Sequence, residues 1–107
     1  MIDLTKLNEV SYDIKLNESL IINIKKPNNL VYNELFRVME VTTKSKDVEK
    51  MKQATYEFLT MMLNRNKNEK VFSIDEVEDL FPLDVALYVI KDYQEWSNKS
   101  IEVVKNF

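Results

Sequence analysis

Two short runs near the start of the chain alternate apolar and polar residues, and longer stretches after them repeat their apolar residues at helical spacing. Residues 12–16, YDIKL, and 20–24, LIINI, flank the polar connector Asn17, Glu18 and Ser19. Alternation on both sides of a short connector predicts a β-hairpin, here without the glycine that such turns usually carry. Pro27, Asn28 and Asn29 then stop the second strand and offer side-chain oxygens to cap a helix.

From about residue 29 to 41, Val31, Tyr32, Leu35, Phe36, Val38 and Met39 fall on one side, with Asn33, Glu34, Arg37 and Glu40 opposite. The polar stretch TTKSKD predicts a loop, with Asp47 as the cap of the next helix. That helix, from Val48 to about Asn64, spaces Val48, Met51, Thr55, Phe58, Leu59 and Met62 helically, while Tyr56, Met61 and Leu63 widen its apolar side. NRNKNEK follows as a polar linker. In FSIDEVEDLF, Ser73 and Glu76 have capping-box spacing, and Phe72 and Val77 occupy the positions of a hydrophobic staple. Pro82 lacks an N–H for the preceding turn, so this short helix ends near Phe81.

The last helix, LDVALYVIKDYQEWS, is too apolar for its position. A helix resting on a core needs a stripe a little over about 100° wide, whereas Val85, Trp96, Val89, Tyr93, Ala86, Ile90, Leu83 and Leu87 span roughly 200°. Tyr88 falls on the polar side among Asp84, Asp92 and Glu95. The tail NKSIEVVKNF either continues the helix or frays. The chain is therefore expected to be α+β, mainly α: an N-terminal β-hairpin and about four helices in a single domain spanning 1–107, with 1–26 the hairpin region and 27–107 the helical region.

Composition narrows the chemistry. The 107 residues contain no cysteine, histidine or glycine. That excludes disulfides, thiolate zinc sites, catalytic thiols, His-dependent triads and glycine-rich phosphate loops. No catalytic residues, metal site or cofactor are expected. The acids Asp75, Glu76, Glu78 and Asp79 share a helix start, where the dipole favours negative charge, and they lack the spacing of an EF-hand loop. Lysines at 25, 26, 44, 46, 67 and 70 are dispersed in a chain of net charge -3, which argues against a nucleic-acid surface. No run reaches the roughly 18 apolar residues that span a bilayer, and the N-terminus MIDLTKLNEV has no basic segment leading into an apolar one. A soluble, unexported protein with no membrane partner is the expectation.

The order of elements, a hairpin, then NNLVYNELFRVMEV, ATYEFLTMML and VEDLFPLDVALYVIKDYQEW, resembles the tail assembly chaperones of long-tailed bacteriophages of Gram-positive hosts. The resemblance spans roughly residues 10–98. It implies a non-catalytic protein that binds the tape-measure protein, helps recruit the tail-tube protein, works in the host cytoplasm and is absent from the mature virion. Self-association into a homo-oligomer would fit the same role. The surplus apolar width would then meet a helical client, with Met61, Val89, Tyr93 and Trp96 as partner-binding anchors. The alternative is a small regulatory or inhibitory phage protein that binds a host factor through its acidic face.

Overall fold

The computed structural model describes residues 1–105, with side chains for 1–6 and 9–99. A two-stranded antiparallel hairpin precedes four helices, the mainly helical α+β arrangement that the apolar pattern predicts. Strands β1 (Tyr12–Asn17) and β2 (Leu20–Ile24) pair with Tyr12 opposite Ile24, Asp13 opposite Asn23 and Ile14 opposite Ile22. The turn closes without glycine because the Asn17 side chain takes over its task. Its Oδ1 accepts from both the backbone N–H and the hydroxyl of Ser19, each at 2.9 Å, an Asx turn that follows a register irregularity between Lys15 and Asn17. Ile22 and Ile24 project from the inner face of β2 and are fully buried.

Helix α1 (Asn29–Lys44) starts where Asn28 accepts the Val31 N–H at 3.0 Å, and it buries only Val31, Leu35 and Val38, a narrow stripe. It outlasts its expected end by a turn, since the hydroxyls of Thr42 and Thr43 donate back to the Met39 carbonyl and keep TTK helical. Asp47 caps α2 (Val48–Leu63) by accepting from the N–H groups of Glu49 and Lys50. This helix is central. It packs against α1, α3 (Ile74–Leu80) and α4 (Leu83–Lys105), so Ala54, Tyr56, Phe58, Leu59, Met62 and Leu63 are all buried. Most of the extra apolar width of α2, which the sequence leaves free for a partner, is thus spent on the molecule's own interior.

Ser73 and Glu76 form the reciprocal capping box at the start of α3, and Phe72 and Val77 both lie in the core. The tail continues α4 through Lys105; residues 106 and 107 lie outside the described residues.

Two features carry weak sequence signals. Residues Leu4–Glu9 form a 3-10 helix, capped by Asp3 accepting from the backbone and hydroxyl of Thr5, and this helix packs against α4. The second is the supposed linker after α2. Asn66 bridges to Ile24, the Lys25 N–H donates to the Arg65 carbonyl at 2.9 Å, and the Lys67 N–H donates to the Asn23 carbonyl at 2.8 Å. The linker therefore closes the outer edge of β2.

Candidate partner-binding surface

Helix α4 shows how its wide apolar arc is divided. Ala86, Ile90, Tyr93 and Ser97 recur at helical spacing and are all buried, forming the stripe that rests on the core. Val89 and Trp96 form one flank. Leu83 and Leu87 form the other.

The Trp96 end of the first flank is covered by the chain's own N-terminal part, while Val85 at its edge stays exposed. Tyr12 of β1 sets its ring 5.4 Å from Tyr93 and 5.7 Å from Trp96, and its hydroxyl donates to Asp92 at 2.6 Å. Trp96 stacks on Tyr93 at 5.8 Å. The Tyr93 hydroxyl donates to the Lys25 carbonyl at 2.7 Å, and the Lys26 ammonium donates to the Ser97 carbonyl at 2.6 Å. The Tyr32 and Ser97 hydroxyls are also hydrogen-bonded. These bonds fasten α4 to the strand that leads into α1.

Of the residues expected as anchors, Tyr93 is fully buried in the core, with Tyr12, Trp96 and the Lys25 carbonyl packed around it. Met61, Val89 and Trp96 are half-buried and packed against the same core. The four are not gathered into one exposed surface.

The other flank is open. Leu87, Ile90, Lys91 and Gln94 of α4 face Val38, Met39, Thr42 and Thr43 of α1 across a groove of about 290 Å³. Its floor is apolar and its rim carries the polar ends. Met39 is 38% exposed, and Phe36, one turn earlier on α1, is 59% exposed and stacked on Tyr32. Residues 32, 36, 39 and 43 fall on one helical stripe, so the apolar wall runs along α1. The sequence placed Phe36 and Met39 on the core side of α1. The narrow buried stripe leaves them out.

The acids Asp75, Glu76, Glu78 and Asp79 are all solvent-exposed, but only Asp75 and Glu76 lie in the first turn of α3, where the dipole favours them; Glu78 and Asp79 fall in its last turn, because the helix is only seven residues long. Among the described residues, no group of three or more His, Cys, Asp or Glu side chains could hold a metal ion, and no helix is long and apolar enough to cross a membrane.

The aromatic cluster sets a pH dependence. Burial pushes the phenols of Tyr12 and Tyr93 well above the usual tyrosine range; at Tyr12 the hydrogen bond to Asp92 and its charge add to the effect. Raised folded values favour the neutral phenol in the native state. Their contribution is therefore present below about pH 10, where unfolded tyrosine titrates, and is lost as pH rises through the folded values. Urea midpoints should hold steady from neutral pH to about 9 and fall beyond about 10, and Tyr12→Phe should blunt that fall. A midpoint that stays level at strongly alkaline pH would show that these phenols are not enclosed.

Comparison of the chain with protein-family models, curated proteins and solved structures finds no match.

Proposed function

We propose that this protein acts by binding and not by catalysis, as a bacteriophage tail assembly chaperone. In this reading it holds the tape-measure protein, helps recruit tail-tube subunits in the host cytoplasm, and is left out of the finished virion. The observation that supports it is the open apolar groove between α1 and α4. Two roughly adjacent helices with an apolar furrow between them accept the apolar face of a third helix, and a tape-measure protein is a long helical rod that must be kept from aggregating. Fully covering one large apolar side chain contributes roughly 1.5–3 kcal/mol, so Phe36, Met39 and Leu87 together supply enough for a repeated, reversible grip. Holding a client soluble needs no nucleotide site, since binding alone shifts the equilibrium.

The test is coexpression with the tape-measure protein. The wild-type chain should coelute with it, and Met39→Asp combined with Leu87→Asp should reduce the bound fraction at least tenfold while far-UV circular dichroism stays unchanged. Failure of the wild type to coelute removes the chaperone reading. Retention by the double variant moves the contact elsewhere on the molecule.

The inhibitor reading draws support from the exposed acids of α3 with Asp84 and Glu95. Its acidic face is smaller than the sequence suggests, because Asp92 is half-buried and accepts the Tyr12 hydroxyl. Salt separates the two readings. Binding through acids weakens steeply as ionic strength rises, whereas binding through the groove tolerates it.

A further inference from the structure

The hairpin has one closed edge and one open edge. In an antiparallel strand the N–H and C=O of a residue point to the same side, and successive residues alternate. Asn23 and Lys25 turn theirs toward the 65–67 segment, where the Asn23 carbonyl accepts from Lys67 and the Lys25 N–H donates to Arg65. Ile22 and Ile24 therefore turn theirs toward their partners Ile14 and Tyr12 in β1. It follows that Asp13 and Lys15 direct their backbone groups away from the hairpin. Among the described residues, no backbone hydrogen bond from elsewhere in the chain reaches them.

Burial points the same way. Ile22 and Ile24 on the inner face of β2 are fully buried, yet Tyr12, Ile14 and Leu16 on the same face of β1 are only half-buried, as befits the outer strand of the pair. Asp13 and Lys15 on the opposite face are exposed.

We infer that this edge is covered by the β1 strand of a second copy of the chain, paired antiparallel about a two-fold axis at Ile14, which doubles the two-stranded sheet. The register is selected by the strand itself. Up to the irregularity after Lys15, only pairings that set odd-numbered residues against odd-numbered ones join the free backbone groups, since Tyr12 and Ile14 have spent theirs on β2. Centring on Asp13 or on Lys15 sets like charges directly opposite, which is unfavourable. Centring on Ile14 sets Asp13 against the partner's Lys15 and Lys15 against the partner's Asp13, and places Ile14 on Ile14 along the inner face. Charges at an edge normally discourage strand addition. Here they discourage foreign strands and permit one self-complementary match. In the single chain Lys15 pairs with Glu18 at 3.0 Å, an exposed contact that yields readily to a cross-strand carboxylate. The inference is independent of the groove between α1 and α4, whose lining shares no residue with this edge.

Sedimentation equilibrium on the full chain tests it. The wild type should show a reversible monomer–dimer equilibrium. Asp13→Lys and Lys15→Asp should each raise the dissociation constant about tenfold or more, since every unlike pair becomes a like pair. Mixing the two variants should restore association as a heterodimer, because one variant then carries lysine at both positions and the other carries aspartate at both, so every facing pair is again unlike. Circular dichroism confirms that each variant is folded, as both positions are exposed. A wild-type chain that stays monomeric at millimolar concentration overturns the inference. So does a dimer indifferent to both reversals, or reversals that the mixture does not rescue.

Discussion

Replacing Tyr93 with alanine is expected to cost about 3–5 kcal/mol of folding stability, the range for emptying a large aromatic site in a packed interior. The whole reserve of a domain this size is about 5–15 kcal/mol, so the variant should sit near the edge of folding at physiological temperature. The ring is fully buried between Tyr12 and Trp96, and no small shift of α4 refills its volume while the Lys26 and Tyr32 bonds to Ser97 hold that helix in place. Tyr93→Phe keeps the ring and loses only the hydroxyl bond to the Lys25 carbonyl, for about 0.5–1.5 kcal/mol. Urea denaturation of the two variants measures the difference directly. Near-wild-type stability of Tyr93→Ala, together with loss of client binding, would return this residue to the surface role that the sequence suggests.

The fate of Tyr93 shows what a sequence can and cannot specify. Helical spacing correctly marked a 200° apolar arc on α4. It could not say which part of that arc another element would cover, because the covering groups lie some eighty residues away: Tyr12 and the 3-10 helix are close to α4 only in the fold. The surplus is real on the Leu87 flank and at Val85, and is largely used up at Val89 and Trp96. On α1 the same limit ran the other way, for Phe36 and Met39 sit within a plausible apolar face yet stay exposed because α2 is met by a stripe only one residue wide per turn. Features that depend on neighbours three or four residues apart were legible. The Ser73–Glu76 box, the Asp47 and Asn28 caps and the break at Pro82 all rest on local backbone donors, and each stands where its spacing put it.

The segment after α2 escaped for a different reason, and it supplies the second large effect. NRNKNEK reads as a solvated linker because its residues are polar. Asparagine, however, carries the same donor and acceptor as a peptide group, and Asn66 uses both. Its Nδ2 donates to the carbonyls of Leu63 at 2.8 Å and Lys70 at 2.7 Å, while its Oδ1 accepts from the N–H groups of Asn68 at 3.0 Å and Lys70 at 3.1 Å. Asn64 adds a two-way clamp on Phe72, donating to its carbonyl and accepting from its N–H. Together they fold the loop tightly enough to hold Glu69 at φ 59°, a left-handed conformation that costs a residue with a β-carbon roughly 1–2 kcal/mol and that no glycine is present to relieve. Asn66→Ala strips every one of these backbone groups of its partner at a buried position. Each unsatisfied group costs about 1–3 kcal/mol, and water recovers part of that as the loop loosens, so a net loss of about 2–4 kcal/mol is expected. Because the loop also seals β2, amide exchange at Lys25 and Lys67 should accelerate well beyond that of the α2 interior. A variant within about 0.5 kcal/mol of wild type, with both amides still protected, would mean that the loop is held by the strand contacts alone and that the asparagine merely occupies a site made by others.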